Sequence, residues 1–153
     1  MTCFLALENT QLTDEVTMTA TGVSGVTDGG ASISSQVDEV FTVEQCLYAI
    51  MVASANDIAL QIAEHVGGSV DGFVQQMNTR AQELGCTNTV FTNPTGLPDD
   101  NQHTTAHDMA LIMQAAIQNE SFRTIAAATS YTIPATNKAA ARNLTSKFTM
   151  TDT

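Results

Sequence analysis

Ser54-Ala55-Asn56-Asp57 is the stretch of this sequence whose residue types could do chemistry together. A hydroxyl and a carboxamide two positions apart at a helix start can turn toward one cavity. There the hydroxyl can pass protons and the amide can hydrogen-bond a substrate. Ser, Asn and Asp are also the favoured N-cap residues, so these four letters alone favour a capping role.

Other reactive side chains form weaker patterns. His103 and His107 lie four apart, a metal-ligand spacing if both are helical. The Glu of H-E-x-x-H is missing, however, no third ligand is evident, and His103 precedes the expected helix cap at Thr105. The pair therefore reads as a loop-packing His103 and a partly exposed helical His107, with no metal site. His65, just before Gly67-Gly68, fits a helix C-terminus, where a basic ring meets the dipole favourably. Cys3, Cys46 and Cys86 form no C-x-x-C pair and no zinc spacing, and their odd number excludes a complete internal disulfide framework. They read as free buried thiols. Asp14-Glu15 and Asp99-Asp100 read as solvated loop charges, and no carboxylate pair has the spacing of glycosidase or aspartic-protease chemistry.

The elements that must position Ser54 and Asn56 are mostly helices. Met1 to Glu8 is apolar and helix-compatible but opens without an N-cap, like the tail of a helix that begins earlier. Glu15 to Ala20 alternates as a half-buried strand, with Val16 and Met18 on one side. Residues 21–35 are Gly-rich and polar and read as loop. Thr42 and Gln45 make a capping box ahead of Leu47, Ile50 and Met51. A second helix starts between Ser54 and Asn56, carries Ile58, Ala59, Ile62 and Ala63, and stops at Gly67-Gly68. Ser69 caps a third, with Phe73, Met77, Ala81 and Leu84 on one face and Gly85 at its end. Val90-Phe91 reads as a short strand before the Asn93-Pro94-Thr95-Gly96 turn. Thr105 and Asp108 open a fourth helix bearing Met109, Ile112, Met113, Ala116 and Ile117. Met77, Met109 and Met113 are expected in the core. A fifth helix near Phe122 to Ala128 leads to a strand at Tyr131-Thr132-Ile133, closed by Pro134. Strands this short need neighbours to be stable.

Composition narrows the partners. At 153 residues the chain is long enough for one domain, and with 43% hydrophobic and 14% charged residues it can bury a core. Sixteen acids against five bases give a net charge of −11. That balance disfavours nucleic acid, whose phosphates require dense Lys and Arg, and it disfavours an anionic lipid surface. No apolar run spans a bilayer, and no basic n-region with an h-region marks a signal peptide.

The segment Leu47-Tyr48-Ala49-Ile50-Met51-Val52-Ala53-Ser54-Ala55-Asn56-Asp57-Ile58-Ala59 resembles the region bearing the S-x-N motif in low-molecular-mass penicillin-binding proteins. These are the serine D-Ala-D-Ala carboxypeptidases. The similarity continues through Ala63-Glu64-His65-Val66-Gly67-Gly68, Phe73-Val74-Gln75-Gln76-Met77-Asn78 and Leu84-Gly85-Cys86-Thr87-Asn88-Thr89. It extends through Phe91-Thr92-Asn93-Pro94-Thr95-Gly96-Leu97 and Gln102-His103-Thr104-Thr105-Ala106-His107-Asp108-Met109-Ala110, in the family's order and spacing. Ala55 stands where relatives often have Gly, and Thr95 where many have His. Class A β-lactamases also use a Ser-x-Asn element, but the Asn93–Leu97 block favours the carboxypeptidases.

The resemblance implies an α+β, β-lactamase/DD-peptidase-like (transpeptidase-like) fold, with residues 1–153 supplying mainly its helical part and few short strands. It implies catalytic roles for Ser54, relaying protons, and Asn56, binding the substrate backbone. The substrate would be a peptidoglycan stem peptide ending in D-Ala-D-Ala, β-lactams would be its mimics, no cofactor is needed, and the location would be extracytoplasmic. The family also uses an S-x-x-K nucleophile and a K-T-G strand. Neither Lys138 nor Lys147 completes either motif. Because Met1-Thr2 resembles the residues after the catalytic lysine, the nucleophile is expected just upstream and K-T-G downstream. The 153 residues are thus expected to be a partial catalytic domain, inactive alone. The contrasting expectation is a non-catalytic helical binding module on the same scaffold.

Overall fold

Thr42 accepts a hydrogen bond from the Gln45 backbone N–H at 3.2 Å, and Gln45 Oε1 accepts from the Thr42 N–H at 2.9 Å. This reciprocal capping box starts the central helix of the protein, α3 (Val43–Ala53). The computed structural model describes residues 1–26 and 30–146. Ahead of α3 come α1 (Thr2–Asn9), β1 (Glu15–Thr17), α2 (Ala20–Ser24) and β2 (Val40–Thr42). After it come α4 (Asn56–Gly67), α5 (Val70–Glu83), α6 (Ala106–Ala116), α7 (Glu120–Ala126), β3 (Ser130–Ile133) and β4 (Arg142–Thr145).

The strands form two antiparallel pairs. β1 lies on β2 with Val16 opposite Phe41, and β3 lies on β4 with Tyr131 opposite Leu144. The main core gathers Phe4, Val16, Met18, Phe41, Leu47, Ile58, Ile62 and Ile133 between them. Each such aliphatic or aromatic side chain contributes about 1.5–3 kcal/mol by leaving water. Leu5, Ala63, Phe73 and Met77 form a second cluster that ties α5 to α1 and α4. Gly68, at φ 72, ends α4 in the left-handed region that a Cβ disfavours. Ser69 then caps α5 by accepting from the Gly72 N–H at 3.0 Å. The three thiols are free and buried. Burial pushes Cys3 up to about 12 and raises Cys46 and Cys86 as well, so all three are unreactive core groups.

Three expectations are corrected. Ala20 does not end the first strand but opens α2, because the Thr19 hydroxyl accepts from the Thr21 N–H and turns the chain. The remainder of the expected loop stays irregular, with 27–29 outside the described residues. Val90 and Phe91 make no strand; Val90 forms an isolated bridge with His103. Met109 and Met113 are exposed, at 42% and 49%, together with Ile117 at 41%. The buried row of α6 is Asp108, Ile112 and Ala116, one residue earlier. Asp108 must face inward to accept from the Asn88 N–H and the Thr89 hydroxyl. At about 100° per residue, that anchor turns the methionine row toward solvent.

A contact between residues far apart in sequence closes the fold. Arg142 on β4 reaches the buried Glu39 carboxylate with two hydrogen bonds, at 2.8 and 3.0 Å. Thr136 Oγ1 and the Gln36 N–H donate to the same carboxylate at 2.5 and 3.0 Å. Burial pushes this carboxyl up, but Arg142, Thr136 and Gln36 outweigh it and hold the group below its usual range. Stability from this group is therefore full above about pH 4.3, the ordinary carboxylate value, and is lost as pH falls through the lower folded value. Arg142→Met, which strands a buried carboxylate, is expected to cost about 3–5 kcal/mol at neutral pH. The measurement is urea denaturation at pH 7 and pH 3. Glu39→Gln should lose less stability than wild type between those two pH values, and an equal loss would refute the role assigned to the pair.

Candidate functional site

The site is built at the break between α3 and α4. Ser54 ends α3 with φ 55 and ψ 38, a left-handed conformation rare for a residue with a Cβ. Ala55 is buried and occupies the N-cap position of α4, and no side chain caps that helix. Neither Ser54 nor Asn56 is therefore a side-chain cap. The Ser54 side chain is exposed, while Asn56, the first residue of α4, is only 7% exposed. Among the described residues, neither the Ser54 hydroxyl nor the Asn56 amide makes a side-chain hydrogen bond. Both groups keep their full hydrogen-bonding capacity, with only Ala55 between them at the helix break.

Asn56 and Asp57 are held from the other side by an irregular stretch of the loop before β2. The Asn56 N–H donates to the Ala31 carbonyl at 2.8 Å. Asp57 Oδ2 accepts from the Ser32 hydroxyl at 2.7 Å, the Ser35 hydroxyl at 2.7 Å and the Ser35 N–H at 3.1 Å. Its position in the first turn of α4 also sets the carboxylate at the positive end of the helix dipole. The non-glycine residues with positive φ among the described residues are Ser34, Asp38 and Ser54. All three lie in Ser54 itself or in the segment that Asp57 and Glu39 hold. Backbone strain of this kind clusters where the surrounding structure over-determines it, often at functional sites.

The Asn93-Pro94-Thr95-Gly96 turn is rigid for local reasons. Asn93 Oδ1 accepts from the Gly96 N–H at 2.8 Å and the Thr95 hydroxyl at 3.0 Å, and Gly96 sits at φ 77. Gln102 Oε1 accepts from the Thr92 N–H at 3.1 Å. The Thr2 hydroxyl joins this turn to the start of α1 by donating to the Pro94 carbonyl at 2.7 Å. A cavity of about 330 Å³ opens there, lined by Met1, Thr2, Ile50, Met51, Asn93 and Thr95 among others. A larger open groove of about 720 Å³ separates α1 from α5, beside Glu8, Arg80 and Glu83. Ser54 and Asn56 line neither of these spaces.

The histidines are engaged elsewhere. His103 Nδ1 lies 3.1 Å from the Asn101 carbonyl, His107 Nδ1 lies 3.4 Å from Asp108, and both residues are exposed. His103 sits on its bridge to Val90 ahead of the Thr105 cap, so the two do not share a helical face. His65 occupies the last turn of α4.

The profile of the D-alanyl-D-alanine carboxypeptidase family matches residues 1–152. The chain belongs to that family. It is 41% identical to D-alanyl-D-alanine carboxypeptidase DacF of Bacillus subtilis over 93 residues, covering 61% of this chain and 24% of the relative. It is 35% identical to DacB2 of Mycobacterium tuberculosis over 129 residues, covering 81% of this chain and 44% of the relative. The crystal structure of a D-alanyl-D-alanine carboxypeptidase from Mycobacterium tuberculosis superposes with a TM-score of 0.83 at 27% identity, over 96% of this chain and 55% of that one. A Streptomyces DD-transpeptidase superposes with a TM-score of 0.83 at 28% identity, over 93% of this chain and 58% of that one. The fold is therefore of the α+β DD-peptidase type, and this chain is mainly its helical part. It spans less than half the length of these two curated relatives.

Ser54 is held in a conformation that glycine would adopt without steric cost. Ser54→Gly in this carboxypeptidase-family chain is expected to stabilise it by about 0.5–1 kcal/mol, whereas Ser54→Ala keeps the strain. Thermal melts of the two variants decide the matter, and a Ser54→Ala protein that melts above the Ser54→Gly protein contradicts the backbone assignment.

Proposed function

We propose that residues 1–146 supply the S-x-N side of the active site of a serine D-Ala-D-Ala carboxypeptidase. Family membership, the exposed and unbonded Ser54 hydroxyl, and Asn56 just beyond the helix break support this reading. The observation that carries it is Ser54 itself, held in the left-handed region without a capping task.

In this reading the substrate is a peptidoglycan stem peptide ending in D-Ala-D-Ala. The serine of the S-x-x-K motif attacks the carbonyl carbon between the two alanines, and the C–N bond breaks. Ser54 passes a proton to the departing D-alanine amine, and water then hydrolyses the ester. Asn56 donates or accepts a hydrogen bond with the peptide backbone and so fixes the carbonyl for attack. β-Lactams enter as mimics of the same peptide. The turn at Asn93 to Gly96 is tied to the start of α1 by Thr2 and forms one wall of the cavity there. A substrate drawn from the cell wall places the enzyme outside the cytoplasm. No described helix is long and apolar enough to cross a membrane.

None of the 153 residues forms a Ser-x-x-Lys. Among the described residues no base hydrogen-bonds Ser54, so it cannot replace that nucleophile. The chain by itself is expected to show no intact-mass shift with a β-lactam. Activity is tested in a chimera in which residues 1–146 replace the matching segment of the Mycobacterium tuberculosis carboxypeptidase, restoring the flanking motifs. Fluorescent penicillin should label the chimera, and Ser54→Ala should slow labelling by about 10²-fold or more, the scale of a lost proton-transfer group. Labelling of the Ser54→Ala chimera at the unsubstituted rate would refute the assignment, as would an unsubstituted chimera that never labels.

A further inference from the structure

Asp57 is the one ionisable side chain in the Ser54–Asp57 stretch, and the proposed reaction gives it no task. It is 1% exposed, yet no cation faces it among the described residues; hydroxyls and backbone N–H groups satisfy it instead. Its Oδ1 also lies 3.4 Å from the Ile33 N–H. The residues it holds, Ser32 to Ser35, alternate in burial, with Ile33 and Ser35 inside and Ser32 and Ser34 outside. The stretch is thus an irregular strap, bound by side chain rather than by a neighbouring strand.

The strap bears directly on Asn56. Its Ala31 carbonyl takes the Asn56 N–H, a donor in the first turn of α4 that no helical bond can use. At its other end, Arg142 Nη2 approaches the Ser34 carbonyl at 3.4 Å, and Glu39 is locked by Arg142 and Thr136. Ser34 and Asp38, both at positive φ, lie between these two anchors.

We propose that Asp57 is a positioning residue: its carboxylate latches the 31–35 strap against the start of α4, and the latch sets the orientation in which Asn56 meets substrate. The inference rests on the S-x-N reading given above. The latch acts at two points. It fixes the backbone of Asn56 through Ala31, and it makes the strap a rigid wall beside Ser54. Apart from the latch, the strap is held by the Ala31–Asn56 backbone bond, by the burial of Ile33 and by the Arg142 contact at Ser34, so release of the latch should loosen it without unfolding the chain. The core around Leu47 and Ile62, which Ile33 joins, keeps its own contacts with Phe4, Val16, Phe41 and Ile58 and should persist without the latch.

Amide hydrogen exchange on the 153-residue chain tests the latch directly. In Asp57→Asn, and in the milder Ser32→Ala/Ser35→Ala double variant, exchange at Ser35 and Asn56 should accelerate at least 10-fold while Leu47 and Ile62 keep their protection. Unchanged exchange at Ser35 and Asn56 overturns the latch. Loss of protection at Leu47 and Ile62 in both variants makes the role merely structural and overturns it equally. In the chimera, the same variants should lower the rate of penicillin labelling about 10-fold at saturation, with a smaller change in the half-saturating concentration. A freed strap with an unchanged labelling rate overturns the positioning role. If Ser54→Ala slows labelling and Asp57→Asn does not, the site reading stands and only the latch fails. If Ser54→Ala has no effect, or the unsubstituted chimera does not label, the site reading fails and takes the latch with it.

Discussion

The helix break at Ser54 is the constraint on which the site depends. An α-helix cannot pass through a residue at φ 55, so α3 must end there and α4 must start on a new axis. Both helices are apolar enough to be pulled into the same core: Leu47, Ala49 and Val52 from one, Ile58, Ala59 and Ile62 from the other. The burial of those faces holds the junction and leaves Ser54 at the surface with its side chain free. Glycine would make the turn at lower cost. A serine there adds a hydroxyl at the one point where helix geometry does not already occupy it with a backbone partner.

The loops around this junction are held by carboxylates, and the composition explains how. With five basic residues in the whole chain, most of the buried and half-buried acids here meet no Lys or Arg among the described residues. Asp57 is met by two serines, Asp108 by Thr89, the Asn88 N–H and the Thr105-capped helix start, and Glu64 by Thr19, Thr21 and Gln61. Hydrogen bonds from Thr89 and from Thr19 hold the Asp108 and Glu64 carboxyls below their usual range. Glu39 alone of these four has an arginine, and it also takes a threonine. The abundance of Ser and Thr is therefore the counterpart of the acidity. Each of the four acids ties an irregular segment or the start of an element to its neighbours.

Local signals were legible in the residues. Thr42 with Gln45, Ser69, Thr105 and the Gly67-Gly68 stop located helix ends correctly because caps are chemistry between near neighbours. Phe73, Met77 and Ala81 were legible as a buried row for the same reason. The Ser54-Ala55-Asn56 triplet was visible as a candidate, but whether it capped a helix was not, since the answer lay in one dihedral angle. What periodicity misjudged was the rotation of α6, because a single buried Asp108 outweighed the pull of Met109 and Met113. The Glu39–Arg142 pair left no signal at all: its members are 103 positions apart, and nothing near either predicts the other.

The exposed apolar residues follow from the same balance. Turning α6 to bury Asp108 leaves Met109, Met113 and Ile117 as a continuous outward row at i, i+4 and i+8. Met113 also reaches the cavity at the start of α1, where Met51 from α3 joins it. Two of the exposed apolar side chains, Met51 and Met113, thereby meet at the cavity beside the Asn93–Gly96 turn. Asp108 gains charge-assisted hydrogen bonds from the Asn88 N–H and the Thr89 hydroxyl, while the methionines, still partly covered, give up only part of their burial. The helix accordingly satisfies the acid first, and the greasy rim of the cavity is the consequence.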